Sequence, residues 1–215
     1  MRLPKIVIFD FNGTLLDDLH IAYGSVQEIF RVYDIPCPAV KQYREEISAD
    51  FMEFYYQHGF PRTITAEELN EIRRKFYRAN GDNARIRVDV YSTINQLLVL
   101  GFYTAIVSAE VTTTLHKYLL REGLNRKFDF VRPEAWGSKE AKSKALLQVA
   151  DVFNCSPEDM IYVDDSVDGL MAAKNTSVVP MAFTNPTGYN SSHRLMEVAD
   201  ISVNEISDLK GLLSL

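Results

Sequence analysis

The segment IVIFDFNGTLLDD, residues 6–18, constrains the fold of this chain more than any other part of the sequence. Its apolar run is broken by Asp10 and then by an Asn-Gly-Thr turn, which indicates a buried parallel strand with a carboxylate at its C-terminal end. Open α/β sheets bind their ligands at that end of the strands. A carboxylate placed there can act as a nucleophile or a metal ligand, although a solvated strand-end aspartate would show the same pattern.

Composition limits the class of protein and its partners. The chain has 215 residues, 47% of them hydrophobic, enough for one α/β domain with a smaller insert. Acidic residues outnumber basic ones 29 to 23, and the basic residues are scattered, so we expect no nucleic-acid partner. No signal peptide or membrane-length apolar run is evident, and Cys37 and Cys155 lack metal-ligand or redox spacing. These features predict a cytoplasmic protein without membrane partners.

A helical block follows the first strand. Apolar side chains recur at helical intervals, as in Ile21, Val26 and Ile29, and no strand pattern interrupts them. Thr65 and Glu68 have the spacing of a capping box, which marks the start of a helix. The predicted helices span residues 19–34, 39–57 and 66–79. We therefore predict an all-helical insert over residues 17–85.

Strands and helices alternate from residue 88 onward. Gly- or Pro-marked turns separate them, as expected for a parallel sheet with helices on both faces. The predicted strands cover residues 102–107, 128–131, 160–163, 178–183 and 200–203. The predicted helices cover residues 91–100, 111–122, 141–153 and 167–174.

Two of these strands end in residues suited to phosphate chemistry. Ser108 follows strand 102–107, and its hydroxyl could donate to a phosphate oxygen, although strands ending in serine are common. Asp164 and Asp165 follow strand 160–163, and adjacent acids repel each other unless a cation holds them. Oxygen ligands suit a hard divalent ion such as Mg²⁺. Alternatively, both acids cap the next helix and interact with its dipole.

Lys142 supplies a candidate cation at the start of helix 141–153. A positive charge among carboxylates would offset their repulsion, keep a nucleophilic carboxylate ionised and bind phosphate. Lys139 and Lys144 are close enough in sequence to compete for this role. Without the neighbouring acids, three solvated surface lysines would be the simpler interpretation.

The order and spacing of these residues resemble the four motifs of the haloacid dehalogenase (HAD) superfamily over essentially the whole chain. The motif residues are Asp10, Ser108, Lys142 and the pair Asp164 and Asp165. The tail DDSVDGLMAAK, residues 164–174, is similar to the corresponding pattern of the phosphatase and phosphoglucomutase branch. The resemblance implies an α/β fold with a Rossmann-like three-layer parallel-sheet core, residues 1–16 and 86–215, and an all-helical cap of the C1 type, residues 17–85.

The resemblance also implies roles for the motif residues. Asp10 would be the nucleophile that becomes phosphorylated. The implied phosphate contacts are Ser108, Ala109 and Lys142. The implied Mg²⁺ ligands are the carboxylates of Asp10 and Asp165 and the backbone carbonyl of Asn12, with Asp164 beside them. Asp168 would be an additional acid near the metal.

Two positions depart from the family pattern. Asn12 stands where an aspartate normally protonates the leaving oxygen and later activates the water, and an amide cannot transfer that proton. The catalytic residues expected here are therefore Asp10, Asn12 and Lys142, with reduced or unusual acid/base chemistry. Ala109 and Glu110 follow Ser108, where family members often have an asparagine, so one substrate contact is missing.

A cap that closes over the substrate would exclude water and set specificity. The polar and aromatic candidates in the insert are Arg44, Tyr55, Tyr56, His58 and Arg62. The tyrosines are expected to pack in the core of the cap, and His58 to lie at a solvated helix end. Arg62, near the middle loop of the insert, is the expected anion contact.

The sequence therefore predicts a Mg²⁺-dependent HAD-type hydrolase, a phosphatase acting on a small phosphorylated metabolite through phospho-Asp10. One alternative is a regulatory module that binds a phosphate ligand with negligible turnover. Another is hydrolysis of a C–halogen or C–P bond, because relatives with that chemistry also lack the second aspartate. Dehalogenase relatives do not need Mg²⁺, so the acid pair disfavours that option. Phosphonate cleavage would need a cap lysine with a lowered pKa. The cap lysines are Lys41 and Lys75, and neither has a sequence context that would lower its pKa.

Overall fold

The computed structural model describes residues 6–136 and 140–213. Its strands are β1 (Ile6–Phe9), β2 (Leu16–Asp17), β3 (Arg85–Ile86), β4 (Tyr103–Val107), β5 (Phe130–Arg132), β6 (Met160–Asp164), β7 (Val179–Phe183) and β8 (Ile201–Val203). Its α-helices are α1 (Leu19–Val32), α2 (Val40–Glu46), α3 (Phe51–Gln57), α4 (Ala66–Asn80), α5 (Val90–Val99), α6 (Thr112–Arg121), α7 (Ala141–Phe153), α8 (Val167–Asn175), α9 (Ser192–Met196) and α10 (Leu209–Leu213).

The central sheet has six parallel strands in the order β5-β4-β1-β6-β7-β8. Side chains alternate between the faces of a strand, and β1 is apolar on both. Val7 and Phe9 pack in the core formed with α5, α6 and α10, whereas Ile6 and Ile8 pack in the core formed with α7 and α8. The predicted α/β fold, a parallel sheet between two helical layers, is confirmed.

This topology places the ends of three neighbouring strands side by side. β1 lies between β4 and β6 and pairs with both in parallel register. Asp10 directly follows β1, Ser108 follows β4, and Asp164 ends β6. Because parallel strands end at the same edge of a sheet, three of the predicted motifs meet at one edge.

Helices α1–α4 form a second, smaller core rich in aromatic side chains. Phe30 of α1 contacts the rings of Phe54, Tyr55 and Phe60 at centroid distances of 6.1, 5.7 and 4.9 Å. The antiparallel pair of β2 and β3 lies where the chain enters and leaves this helical segment. A division of the chain into residues 17–85 and the remainder stays a prediction.

The predicted helix over residues 39–57 is wrong, because it is broken between α2 and α3. Ile47 has extended backbone, with ψ at 140°. Its carbonyl accepts hydrogen bonds from Asn190 Nδ2 at 3.1 Å and Arg194 Nη1 at 2.9 Å, and the N–H of Ala49 donates to Asp168 Oδ2 at 2.6 Å. Bonds to residues of α8, α9 and the loop before α9 replace those that a continuous helix would make.

Among the described residues, no helix combines the length and apolar character needed to cross a membrane. The longest of these helices, α4, has 15 residues and carries the acids Glu67 and Glu68 in its first turn. A membrane-spanning helix needs about 20 predominantly apolar residues.

Candidate active site

Three buried carboxylates converge at the C-terminal edge of the sheet. Asp10, Asp164 and Asp165 each offer one oxygen, and these oxygens lie within 4.8 Å of one another. Asp10 is 7% exposed, and the other two are fully buried. The two strands bring the acids together, because β1 and β6 are neighbours that end at the same level.

Lys142 lies between two of these acids at the start of α7. Its Nζ is 2.9 Å from Asp10 Oδ1 and 2.8 Å from Asp164 Oδ2. Burial opposes the charge of this ammonium group, but the two carboxylates outweigh it and raise the pKa of Lys142 above its ordinary value. Lys144 is exposed on the same helix, and Lys139 lies outside the described residues.

Negative charge exceeds positive charge in this cluster. Burial raises the pKa of Asp10 to about 7, although Lys142 acts in the opposite direction. Burial also raises the pKa of Asp165, and the nearby charges of Asp164 and Asp10 raise it further. One ammonium group therefore faces three buried carboxyl groups, and a divalent cation with oxygen ligands would relieve their repulsion.

Close packing of the backbone against the acids requires glycine at two positions. Gly13 has a φ of +78°, and a Cβ there would lie 2.1 Å from Asp165 Oδ2. A Cβ at Gly169, in the first turn of α8, would lie 1.8 Å from Asp164 Oδ2. Any side chain at either position would displace a carboxylate of the cluster.

Hydrogen bonds orient the carboxylates but leave one oxygen available. Asp165 accepts from Thr14 Oγ1 at 2.8 Å and from the N–H of Tyr189 at 2.5 Å. The Tyr162 hydroxyl donates to Asp10 Oδ1 at 3.3 Å. Within the described parts of the chain, Asp10 Oδ2 accepts no hydrogen bond, so this oxygen is available to a ligand.

Asn12 joins two further acids beside this cluster. Its Nδ2 donates to Asp18 Oδ2 at 2.9 Å and to Glu110 Oε2 at 3.2 Å. Burial raises the pKa of both Asp18 and Glu110. The amide suits this position because it has two N–H donors for two carboxyl groups, whereas a carboxylate would be repelled by both.

The loop after β4 supplies polar groups from the opposite side. Ser108 is buried, and its Oγ accepts a hydrogen bond from the N–H of Glu110 at 3.0 Å. Ala109 between them is exposed, and its N–H donates to no residue in the described ranges. The Ser108 hydroxyl proton and the Ala109 N–H are therefore the donors that this loop can offer to an anion.

Arg62 and Asp168 contact residues of the helical segment rather than the three clustered acids. The Arg62 guanidinium contacts Glu53 at 3.5 Å and lies 4.8 Å from the ring centroid of Tyr56, and its side chain is 73% exposed. Both partners belong to α3, and the anion contact expected of Arg62 stays a prediction. Asp168 of α8 instead accepts from the N–H of Ala49, in the segment between α2 and α3.

Several residues that contact the cluster or the turn beside it could not be recognised from local sequence patterns. Tyr162 lies within the apolar strand β6 and has the pattern of a core residue. Tyr189 belongs to the loop between β7 and α9, and its hydroxyl donates to Asp18 Oδ2 at 2.8 Å. Arg87 holds the turn after β1 by donating to the carbonyls of Gly13 at 2.7 Å and Thr14 at 2.9 Å. Only Thr14 could have been recognised from the sequence, as part of the Asn-Gly-Thr turn.

Comparison with known proteins finds sequence or fold similarity along most of the chain. The family model described as haloacid dehalogenase-like hydrolase matches residues 7–183. A phosphoglycolate phosphatase from Vibrio cholerae is 25% identical over 224 aligned residues, covering 99% of this chain and 96% of the relative. A haloacid dehalogenase-like protein from Agrobacterium tumefaciens superposes with a TM-score of 0.80 at 19% identity, over 98% of this chain and 97% of that one. The protein CbbY from Rhodobacter sphaeroides, solved with phosphate, has a TM-score of 0.74 at 17% identity, over 99% and 100% of the two chains.

Proposed function

This chain belongs to the haloacid dehalogenase-like hydrolases, and we propose that within this family it is a Mg²⁺-dependent phosphatase of small phosphorylated metabolites. Relatives named as phosphoglycolate phosphatases support the phosphatase assignment. The observation that carries the proposal is the state of Asp10, whose Oδ1 is held by Lys142 while its Oδ2 is available. A fixed carboxylate with one open oxygen suits nucleophilic attack on phosphorus.

In the proposed reaction Asp10 Oδ2 attacks phosphorus, the ester P–O bond breaks, and the leaving oxygen takes a proton. Water then cleaves the phospho-Asp10 bond and releases phosphate. Lys142 would balance the charge of the transferring group, and the Ser108 hydroxyl and Ala109 N–H would hold its oxygens. Phosphoryl transfer depends largely on such positioning and charge neutralisation.

Mg²⁺ fits the donor set of the cluster, which consists of oxygen atoms with an excess of negative charge. The residues that would hold it are Asp10 and Asp165 through their carboxylates and Asn12 through its backbone carbonyl, with Asp164 beside them. When bound, the ion would neutralise charge on the phosphoryl group.

The proton for the leaving oxygen must come from a group other than Asn12. Asp18 is held by three donors, the Asn12 amide and the N–H of Gly13 at 2.9 Å each and the Tyr189 hydroxyl at 2.8 Å. Glu110 is held by two donors, the Asn12 amide at 3.2 Å on Oε2 and the N–H of Val111 at 2.9 Å on Oε1. Because Glu110 is less constrained and its pKa is raised by burial, we propose it as the proton donor.

Mg²⁺ is expected to raise the melting temperature of the chain more at about pH 8 than at about pH 5.5. The pKa of Asp10 is about 7 when folded, against an ordinary value of 3.8. Between these values the folded chain keeps a proton that the unfolded chain has lost, so stability falls as the pH rises toward 7. Above that range Mg²⁺ no longer competes with the proton, and its binding stabilises the folded chain more. Calorimetry with excess MgCl₂ or EDTA measures both effects.

Two variants control this measurement. Asp165→Asn should lose the Mg²⁺-dependent rise in melting temperature, whereas Asp168→Asn, in the same segment but bonded to Ala49, should keep it. A rise of equal size at both pH values, or one that persists in Asp165→Asn, would contradict the proposed metal site.

Activity against a panel of phosphate monoesters, with Mg²⁺ or with excess chelator, tests the function itself. We expect hydrolysis that depends on Mg²⁺ and is abolished by Asp10→Asn. Binding of phosphoesters without turnover would favour a regulatory module, and dehalogenation in chelator would favour C–halogen hydrolysis. Phosphonate cleavage is disfavoured because Lys75 is exposed and paired with Glu71 at 3.0 Å, and Lys41 is also exposed.

A further inference from the structure

Arg44, near the end of α2, is a cation of the helical segment that the proposed reaction does not use. It is half-buried, and its guanidinium donates to three carbonyls of the loop between β7 and α9, residues 184–191. Nε donates to Gly188 at 2.7 Å, and Nη2 donates to Asn190 at 3.0 Å and to Asn185 at 3.3 Å. Because two of its three nitrogens are bonded in this way, Arg44 acts on the shape of this loop.

The 184–191 loop lies directly against Asp165. The N–H of Tyr189 donates to Asp165 Oδ2 at 2.5 Å, and the N–H of Asn190 donates to the Asp165 carbonyl at 3.1 Å. A Cβ at Gly188 would lie 3.0 Å from Asp165 Cβ, so the backbone of the loop also packs closely on this side chain. The loop therefore fixes both the carboxylate and the backbone of Asp165.

The shape of the 184–191 loop depends on groups outside it. The loop consists of turns and bends, and the N–H of Gly188 bonds to the carbonyl of Asn185 within it at 2.9 Å. Carbonyl oxygens that converge on one point repel each other, and a planar guanidinium with fixed donors satisfies them together. Burial lowers the pKa of Arg44, and the charge of Asp165 acts in the opposite direction, so the two charges interact.

The same loop holds the end of α2 in return. A helix leaves its last carbonyls without partners in the helix. The Arg44 carbonyl accepts from Asn190 Nδ2 and from the N–H of Ser191, both at 3.3 Å, and the Ile47 carbonyl accepts from the same amide. Asn190 is buried, and its Oδ1 accepts from the N–H of Val167 at 2.8 Å. Bonds in both directions therefore fix Arg44 and the loop relative to each other.

We infer that Arg44 is a positioning residue for Asp165, because it shapes the loop through which Tyr189 holds this carboxylate in the orientation of a metal ligand. The inference rests on the proposed function, which gives Asp165 its role as a ligand of Mg²⁺. Arg44 takes no part in bond breaking. Groups that orient a metal ligand typically change metal affinity by about 10- to 100-fold when they are removed. Docking of α2 on the loop would then determine how tightly the acidic cluster binds its cation.

Amide hydrogen exchange in the metal-free, full-length chain tests the bond between Tyr189 and Asp165. Arg44→Gln should speed exchange at Tyr189 by about 10- to 100-fold, because it removes a charged donor from the loop. Exchange in β1, which reports on global unfolding, should change less. Arg194→Gln is the matched control, since Arg194 is also half-buried but its guanidinium donates to Ile47, at 2.9 Å, rather than to the loop. It should leave exchange at Tyr189 unchanged.

Calorimetric titration of the same chains with MgCl₂ is the second measurement. Arg44→Gln should bind Mg²⁺ about 10- to 100-fold more weakly than the wild type, and Arg194→Gln should bind it equally well. Arg44→Lys should lie between them, because lysine keeps the charge but loses the fixed geometry of the guanidinium. If Arg44→Gln does not fold, Arg44→Lys carries both measurements, and wild-type values in that variant would overturn the inference.

Three further results would overturn it. These are unchanged exchange at Tyr189 in Arg44→Gln, an equal effect of Arg194→Gln, and faster exchange in Arg44→Gln with Mg²⁺ affinity equal to that of a Mg²⁺-binding wild type. A wild-type chain that binds no Mg²⁺ would instead refute the proposed function. The expected difference in exchange between the two variants would still support the positioning of Asp165 by Arg44.

Discussion

Asn12→Asp is expected to raise steady-state turnover of alkyl phosphates by about 10- to 100-fold, the part of the usual 10²- to 10⁴-fold contribution of general acid–base catalysis that Glu110 does not already supply. The new carboxyl group would face Asp18 and Glu110, which now accept from the Asn12 amide at 2.9 and 3.2 Å. Three adjacent carboxyl groups cannot all ionise at neutral pH, so one keeps a proton that it can give to the leaving oxygen. Steady-state kinetics with alkyl and aryl phosphates measures the gain.

The gain should depend on the leaving group. Aryl phosphates need little protonation, so the amide should slow mainly the second step and phospho-Asp10 should accumulate as an initial burst. Asn12→Asp should remove that burst, whereas Asn12→Ala should not. Peptide mass analysis must first show that Asn12, which precedes Gly13, has not deamidated. Equal turnover of alkyl phosphates by the verified amide and by Asn12→Asp would mean that another group already supplies the proton at full efficiency.

Glu110→Gln tests whether Glu110 is the group that supplies the proton to the leaving oxygen. If Glu110 is the donor, the substitution should lower turnover of alkyl phosphates by about 10- to 100-fold in the Asn12 chain. In the Asn12→Asp background the same substitution should have little effect, because the new carboxyl group takes over the role. Equal losses in both backgrounds would show that Glu110 acts only through the loop after β4, where its N–H bonds to Ser108.

Lys142→Ala is expected to lower turnover by about 10²- to 10³-fold, the usual cost of removing one fixed group that stabilises charge in a transition state. Lys142 holds Asp10 Oδ1 at 2.9 Å and Asp164 Oδ2 at 2.8 Å. Without it, the buried acids repel each other and a smaller fraction of Asp10 is ionised as the nucleophile. Phosphatase assays at saturating Mg²⁺, with the melting temperature checked in parallel, measure the loss.

Lys144→Ala is the matched control, because Lys144 is exposed on the same helix and should have no effect. Lys139→Ala tests the remaining lysine of this segment, which lies outside the described residues. A large loss of turnover in Lys139→Ala with little loss in Lys142→Ala would show that Lys139 is the catalytic cation and that our assignment is wrong. If the unfolded fraction of Lys142→Ala accounts for all of its lost turnover, the role of Lys142 is structural alone.

Local patterns were sufficient to predict the sheet. β1, β4 and β6 are short apolar runs that end in polar residues, and their alternation with helices specifies a parallel sheet. The break after Ile47 could not be predicted, because it depends on bonds to Asn190 and Arg194, which are far away in the sequence. Periodicity records which face of a segment is buried, but not which distant groups compete for its backbone.

The sequence by itself determined the family of the chain and the charged residues of the cluster, because Asp10, Lys142 and Asp165 lie in motifs that are recognised along the chain. Only the tertiary structure decided how the negative charge of these acids is offset, since that depends on distances between residues of different elements. It also placed Glu110 beside Asn12 and paired Arg62 with Glu53 of α3. Charge and hydrogen bonding act through space, so their balance follows from the fold and not from local order in the sequence.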